Sequence, residues 1–121
     1  MDAGAIVNEF CAAWNRGDVE AIMEAFSEDA VYHNIPMAPM EGKEAIRAFV
    51  ASFLGGMASG VDFEIKNQLV QGNLVMNERV DTIHMEKGPV ALPVMGVFEI
   101  TDEGKISGWR DYFDMKQFTG G

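Results

Sequence analysis

Two segments of this sequence carry side chains that can perform acid–base chemistry together. In a strand, alternate side chains share a face, so Arg79 and Asp81 point the same way. In the second segment, Asp111 shares a face with the apolar residues Trp109 and Phe113 and is carried inward with them. A buried charge is costly unless it is paired, and Arg79 between the two aspartates supplies the pairing. The pattern predicts an acid, a base and an orienting cation in one apolar cavity.

Each of these side chains also has an ordinary structural explanation. Arg79 and Asp81 would form a surface ion pair on an edge strand, which contributes little to stability. A β-bulge would turn Asp111 outward. Tyr32 and Asn34, two residues apart, supply a phenol and an amide that can orient a water molecule. In the structural alternative, Tyr32 is a core aromatic residue and Asn34 a turn residue.

The composition predicts one folded domain that spans residues 1–121. A hydrophobic content of 48% with 23% charged residues excludes disorder. The net charge of −10 repels phosphate backbones and anionic lipid headgroups, and no run of Lys or Arg makes a local exception. We therefore expect neither a nucleic-acid nor a membrane partner.

The few metal-binding or reactive residue types predict neither a metal site nor a thiol nucleophile. His33 and His84 have no cysteine or carboxylate cluster at ligand spacing. The single cysteine, Cys11, lies in an apolar helical run and cannot form an internal disulfide. The sequence begins without a basic leader or a long apolar segment. These features favour a cytoplasmic location.

The first half of the sequence predicts helices that begin at capping residues. Apolar residues recur there at spacings of three and four, as on one face of a helix. Phe26 completes the stripe of the second helix, and Gly55-Gly56 ends the third. The predicted helices run from Asp2 to about Gly17, from Asp18 to Ser27-Glu28-Asp29, and from Gly42 to Phe53.

The remaining elements are predicted strands. A short strand covers Val31 to Asn34 and is stopped by Pro36 and Pro39. Turn signals at 71–73, 86–89 and 102–105 divide the chain after residue 60 into four pieces, which should pair antiparallel in sequence order. Helices followed by a meander predict an α+β domain in which a curved sheet closes over helices and leaves one pocket.

One of these strands is apolar on both faces. Its first face carries Leu92, Val94, Gly96, Phe98 and Ile100, and its second face carries Pro93, Met95, Val97 and Glu99. Helices on one side and a partner subunit on the other would explain this pattern. Core packing without a partner would explain it equally well.

Several segments together resemble the limonene-1,2-epoxide hydrolase family. That family belongs to the cone-shaped NTF2-like, or cystatin-like, superfamily, which also holds ketosteroid isomerase and the SnoaL-like polyketide cyclases. The resemblance implies an enzyme without cofactor or metal that opens an epoxide with water in one step, and a homodimer formed through the sheet. The segments that carry it are Tyr32-His33-Asn34-Ile35-Pro36, Glu78-Arg79-Val80-Asp81, Gly96-Val97-Phe98 and Gly108-Trp109-Arg110-Asp111-Tyr112-Phe113-Asp114.

The resemblance also implies a role for each matched residue. Asp81 resembles the general acid of the family, and Asp111 resembles its general base. Arg79 resembles the bridge between the two carboxylates. Tyr32 and Asn34 resemble the pair that holds the attacking water. All five residue types are present at matching positions.

The chemistry of an epoxide agrees with these roles. Its alkoxide leaving group is poor, so hydrolysis near neutral pH benefits from protonation of the oxygen while water attacks the carbon from the opposite side. Two neighbouring acids cannot both ionise cheaply, so one can hold a proton while the other stays charged. The expected substrate is a small lipophilic epoxide and the product a vicinal diol. The predicted substrate-binding residues are Met57, Ile83, Leu92, Val94 and Phe113.

Two further function classes compete with the hydrolase. A ketosteroid-isomerase-like or polyketide-cyclase-like enzyme of the same fold would need a carboxylate base near the position of Asn34, and an amide cannot abstract a proton at neutral pH. A non-catalytic small-molecule-binding dimer module would need no pair of inward aspartates. The Gly-x-Ser-x-Gly motif of the α/β-hydrolase class is absent from the sequence.

Overall fold

The computed structural model describes residues 2–120 as helices packed on one mixed sheet. Helices α1, α2 and α3 lie in the first half of the chain, and four of the six strands follow them. A π-helical turn, Phe53–Met57, directly follows α3. The elements are α1 Ala3–Asn15, α2 Val19–Glu24, β1 Phe26–Asn34, β2 Met40–Glu41, α3 Lys43–Ser52, β3 Gly60–Gln71, β4 Leu74–Met85, β5 Gly88–Ile100, β6 Ile106–Tyr112 and α4 Met115–Thr119.

The six strands form one curved open sheet in the order β2-β1-β6-β5-β4-β3. The pairs β3–β4, β4–β5 and β5–β6 are antiparallel, as predicted for sequential neighbours. Strand β1 joins β6 in parallel, so the sheet is mixed. Gly72, Gly88 and Gly104 take positive φ angles at the three predicted turns, which favours glycine there. The predicted α+β fold class is confirmed.

The core is an aromatic cluster between α1 and the sheet. Trp109 on β6 lies at its centre, with the Phe10 ring edge-on at 5.0 Å and the Phe98 ring stacked at 5.5 Å. Trp14 contributes a second buried indole, 5.9 Å from that of Trp109. Edge-to-face and offset contacts of this kind stabilise a core beyond the area that they bury. They also fix the part of β6 that carries Asp111.

The predicted end of the second helix is wrong. Helix α2 ends at Glu24, and Phe26 begins strand β1 rather than completing the helical stripe. Phe26 lies opposite Ile106 on β6, and the Ile106 amide donates to the carbonyl of Ala25 at 2.8 Å. Strand pairing and burial of Phe26 at 1% exposure therefore outweigh the local helical pattern. Strand β1 begins five residues earlier than the predicted Val31.

The third helix ends at Ser52, one residue before the predicted Phe53, but Gly55-Gly56 do not end the helical path. Both glycines continue in the π-helical turn, and the Ala58 amide closes it on the carbonyl of Phe53 at 2.9 Å. Turns of this kind are frequent at functional sites. Strand β2 and helix α4 were not expected from the sequence. Within residues 2–120, no helix has both the length and the apolar character needed to cross a membrane.

Candidate active site

The sheet register brings the predicted site residues from separate strands to one place. Asn34 on β1 lies directly opposite Asp111 on β6, and the Ile35 amide donates to the Asp111 carbonyl at 2.9 Å. Asp111 lies opposite Gly96 on β5, which in turn lies opposite Asn77 on β4. These positions face the core side of the sheet, where burial alternates along each strand. Long-range strand pairing therefore assembles the site.

Arg79 joins the two predicted carboxylates. Its Nε and Nη2 atoms donate to Oδ1 and Oδ2 of Asp81 at 2.9 Å and 2.8 Å, which makes a bidentate pair. Nη2 also donates to Oδ2 of Asp111 at 2.9 Å. The Arg79 side chain is 0% exposed, and the two aspartates are nearly as buried. The surface ion pair and the outward-turned Asp111 are therefore both excluded.

Burial and the Arg79 charge have opposing effects on the pKa values of Asp81 and Asp111. Burial raises the pKa of Asp111 from 3.8 to about 6, although the Arg79 charge and the Trp109 hydrogen bond act in the lowering direction. Burial also raises the pKa of Asp81, again against the hydrogen bonds and charge of Arg79. The pKa of Arg79 itself is raised, since the attraction of two carboxylates exceeds the cost of burial. Arg79 thus stabilises the ionised forms of Asp81 and Asp111, while burial raises the pKa of both.

Two contacts in this cluster were missed by sequence reasoning. The indole Nε1 of Trp109 donates to Oδ1 of Asp111 at 2.7 Å. Nη1 of Arg79 donates to the side-chain oxygen of Asn77 at 3.0 Å. Asn77, Arg79 and Asp81 alternate along β4 and share its buried face. The two-residue period that placed Arg79 and Asp81 on one face could therefore have identified Asn77 as well.

Tyr32 and Asn34 lie on the same buried face of β1, as their spacing predicts. The Tyr32 ring stacks on Trp109 with a centroid separation of 4.0 Å and an interplanar angle of 4°. The Asn34 side chain lies near the Tyr32 hydroxyl, and burial raises the pKa of Tyr32 so that the phenol stays neutral. The pair therefore presents a phenol and an amide beside Asp111.

An apolar cavity of about 190 Å³ opens over these groups. Asp81, Asp111, Tyr32 and Asn34 lie in its wall, but Arg79 lies behind the carboxylates and does not line it. The expectation that the guanidinium would point into the cavity is therefore wrong, because both aspartates stand in front of it. All five predicted pocket residues do line the cavity: Met57, Ile83, Leu92, Val94 and Phe113.

The remaining wall is mostly aromatic and methionine side chains from elements distant in sequence. The π-helical turn supplies Phe53 next to Met57, and α4 supplies Phe118. Met57 is 53% exposed and lies at the mouth. The apolar spacing of these residues is typical of core packing, so sequence reasoning had no signal that they also line the cavity. The lining residues that were not predicted are Trp14, Met37, Phe49, Phe53, Val61, Phe63, Met115, Phe118 and Thr119.

The side chains around the cavity can carry out acid–base chemistry. Among residues 2–120, no three His, Cys, Asp or Glu side chains are grouped so that they could hold a metal ion. Cys11 is buried near the cluster, and burial raises its pKa to about 12, so its thiol stays protonated. The arrangement can hold a water molecule, accept its proton and donate another proton across the same cavity.

Comparison with known proteins gives consistent relatives. Residues 7–109 match the family model for the SnoaL-like domain. Epoxide hydrolase EphG of Mycobacterium tuberculosis is 33% identical over 111 residues, which cover 90% of this chain and 71% of that protein.

Solved structures agree with the sequence matches. An LEH-like epoxide hydrolase of M. tuberculosis superposes with a TM-score of 0.87 at 30% identity, covering 98% of this chain and 87% of that one. SalBIII, an epoxide hydrolase/cyclase-like enzyme with a role in pyran ring formation in salinomycin, has a TM-score of 0.84 at 26% identity, over 95% and 92% of the two chains. From its family match, its 33% identical relative and its fold, this chain belongs to the SnoaL-like family and resembles the epoxide hydrolases within it.

Proposed function

We propose that this protein is an epoxide hydrolase that adds water to a small lipophilic epoxide in one step and releases a vicinal diol. The observation that carries the proposal is the buried Arg79 guanidinium shared between Asp81 and Asp111 at the wall of an apolar cavity. The 33% identity to EphG supports the same reaction class.

In the proposed mechanism, Asp111 is the general base. Asn34 lies opposite Asp111 and next to the Tyr32 hydroxyl, so the attacking water sits among these three side chains. Asp111 takes one proton from this water while the water oxygen bonds to an epoxide carbon. The carbon–oxygen bond of the ring breaks at the same time. A base with a pKa of about 6 is ionised at neutral pH and still accepts a proton effectively.

Asp81 is the proposed general acid, which protonates the epoxide oxygen as the ring opens. In the ligand-free arrangement, Asp81 accepts two hydrogen bonds from Arg79, and these favour its ionised form. The acid role therefore requires that a proton shared by the coupled pair resides on Asp81 when the epoxide is bound. Burial supports this protonation, because it raises the pKa of Asp81. Proton transfer from Asp111 back to Asp81, directly or through water, closes the cycle.

The cavity supports a neutral, lipophilic substrate. Its wall is almost entirely apolar, and its described lining residues include no Lys or Arg that would pair with an anionic group. A volume of about 190 Å³ fits a compact ring or short chain better than a large amphiphile. Natural substrates are therefore expected to be small cyclic or branched alkene oxides.

We infer a cytoplasmic location, since the single cysteine is a buried free thiol.

The direct test is diol formation from a panel of small neutral epoxides. Wild-type protein should convert at least one member, and Asp81→Asn and Asp111→Asn should each lose at least about 1,000-fold in kcat/KM, because each removes one half of the proton transfer. Asp62→Asn is the matched control, since the Asp62 carboxylate lies on the exposed surface, 2.8 Å from the His84 ring. Folded aspartate variants with wild-type turnover would refute the mechanism.

A second candidate reaction is epoxide opening by a hydroxyl of the same substrate. The 26% identity to SalBIII favours it, because the same acid and base would then form a cyclic ether. A hydroxy-epoxide that fits the cavity distinguishes the two reactions: a ring ether indicates cyclisation, and a diol indicates hydrolysis. The isomerase alternative remains disfavoured, since an amide, Asn34, stands beside the site.

We further propose a homodimer through the outer face of the sheet. Met95 and Tyr112 lie opposite each other on β5 and β6 and are 45% and 46% exposed. Lys66 and Glu78 bring unlike charges to the rim of this patch, which a two-fold axis can pair between copies. Sedimentation should give twice the chain mass, and Met95→Glu should give the monomer. A monomer at all concentrations would remove the proposal.

A further inference from the structure

Asn77 completes the set of partners around the buried Arg79 guanidinium. Nη1 of Arg79 donates to the side-chain oxygen of Asn77 at 3.0 Å, while Nε and Nη2 donate to the two aspartates. Asn77 is only 1% exposed, so bulk water does not replace this contact. The amide therefore binds Nη1, the one guanidinium nitrogen that donates to no carboxylate among the described residues.

A second amide dictates which way Asn77 points. Arg79 offers only donors, so the Asn77 oxygen must face it and the NH₂ group must face away. That NH₂ group donates to Oε1 of Gln68 at 3.0 Å, and the NH₂ group of Gln68 donates to Oδ1 of Asn8 on α1 at 3.0 Å. Three amides thus form a chain of fixed polarity from the helix surface to the buried cation.

Gly96 leaves the space in which the Asn77 contact forms. Asn77 and Asp111 lie opposite Gly96 on the strands to either side of it. A Cβ on Gly96 would overlap Nη1 of Arg79, and it would stand 2.9 Å from the Asn77 oxygen and 3.0 Å from Oδ1 of Asp111. The edge of the guanidinium therefore lies over Gly96, between the amide and the carboxylate.

We propose that Asn77, oriented by Gln68, is a positioning residue. It fixes the orientation of the Arg79 guanidinium and so sets the balance of its hydrogen bonds to Asp81 and Asp111. This inference rests on the proposed function of the two aspartates. Without the Asn77 oxygen, Nη1 of Arg79 loses its acceptor while it stays buried. The guanidinium then tilts to reach another acceptor. Such a tilt changes the hydrogen bonds to both carboxylates at once.

Asn77→Asp tests the charge at this position with almost no change of shape. The Asn77 and Asp111 oxygens stand 2.9 Å and 3.0 Å from one point, so a carboxylate at position 77 comes within the roughly 6 Å at which like charges raise each other's pKa. An added anion favours protonated Asp111, so the pKa of Asp111 must rise. The titratable and charged groups that already face Asp111 are Arg79 and Asp81 on β4, Tyr32 on β1 and Cys11 on α1.

Asn77→Leu removes the hydrogen bond instead of adding a charge. We expect kcat to fall by about 10- to 100-fold with KM little changed, because positioning rather than binding is lost. Gln68→Leu should cause a smaller fall, and the double variant should be no slower than Asn77→Leu, since Gln68 acts through Asn77. Asn67→Leu is the matched control, because the Asn67 amide bonds Glu78 at 2.8 Å on the exposed surface.

Two readouts of Asn77→Asp decide the inference. The acidic limb of kcat/KM should move up by about one pH unit. A ¹³C NMR titration of the Asp111 carboxyl should show the same rise, and this measurement needs no substrate. A folded Asn77→Asp protein that titrates like the wild type overturns the inference, whether or not Asn77→Leu folds. A wild-type protein without epoxide turnover, in which the titration still shifts, overturns the proposed function alone.

Discussion

The indole nitrogen of Trp109 donates to Oδ1 of Asp111 at 2.7 Å, while the face of the same ring stacks on Tyr32 at 4.0 Å. One buried ring therefore touches both the proposed base and a proposed water ligand. The hydrogen bond stabilises the ionised carboxylate and acts to lower the pKa of Asp111, against the larger effect of burial. Trp109 thus adds to the effect of Arg79, which favours the ionised form of Asp111.

Trp109→Phe should raise the pKa of Asp111 above about 6, because the donor to the ionised form is lost. The acidic limb of kcat/KM should therefore move to higher pH. Trp14→Phe is the matched control: it also shortens a buried indole in the cluster, but Nε1 of Trp14 has no hydrogen-bond partner among the described residues. A limb that stays in place in Trp109→Phe, or moves equally in both variants, would contradict the role of the hydrogen bond.

Gly96→Ala should disrupt the site, because the added Cβ overlaps the Arg79 guanidinium. We expect a loss of about 1–3 kcal/mol in the free energy of unfolding, typical of overpacking, together with loss of turnover. Gly60→Ala on β3 provides the control, since a Cβ there meets no atom within 4 Å. Urea unfolding of both variants measures the difference. Equal stability would show that the Arg79 guanidinium can move away from Gly96 at little cost in free energy.

Asp111→Asn should gain stability relative to the wild type as the pH rises. The folded-state pKa of Asp111 is about 6 against an ordinary value of 3.8, so its contribution to stability is fully present below pH 3.8 and lost as the pH passes 6. Asparagine stays neutral and loses nothing. The wild-type disadvantage should reach roughly 3 kcal/mol above that window. Urea unfolding of both proteins at pH 4 and pH 8 measures it, and a difference independent of pH would contradict the raised pKa.

Tyr32→Phe should impair turnover more than stability. The variant keeps the ring that stacks on Trp109 but loses the hydroxyl that lies near Asn34. We expect kcat/KM to fall at least about 10-fold through misplacement of the water, with about 1 kcal/mol lost in the free energy of unfolding. Tyr112→Phe removes a hydroxyl from the exposed outer face and should leave turnover unchanged. Wild-type kinetics in Tyr32→Phe would exclude Tyr32 as a water ligand.

The local part of the site was predictable from the sequence. Arg79 and Asp81 are two residues apart on one strand, and the period of a strand alone puts them side by side. The apolar neighbours of Asp111 likewise predict that it faces inward. These inferences needed no knowledge of which strands pair.

The long-range part was not predictable in the same way. Asn34 meets Asp111 because β1 joins β6 in parallel, a pairing between segments separated by more than 70 residues. The contact of Trp109 with Asp111 depends on a side-chain rotamer inside an aromatic cluster. Phe26 shows how local signals fail: its spacing fits a helix, but its hydrogen-bonded neighbour is a distant strand.

Oxygen-18 labelling in a single turnover tests direct attack of water at the Asp111 site most sharply. With enzyme in excess over a converted epoxide in ¹⁸O water, the mechanism predicts that the first diol formed carries one ¹⁸O atom, and that Asp111→Asn forms almost none. If an aspartate attacked the epoxide covalently, the first diol would carry ¹⁶O from the carboxylate and the protein would take up the label. A first-turnover diol without ¹⁸O would contradict the central claim.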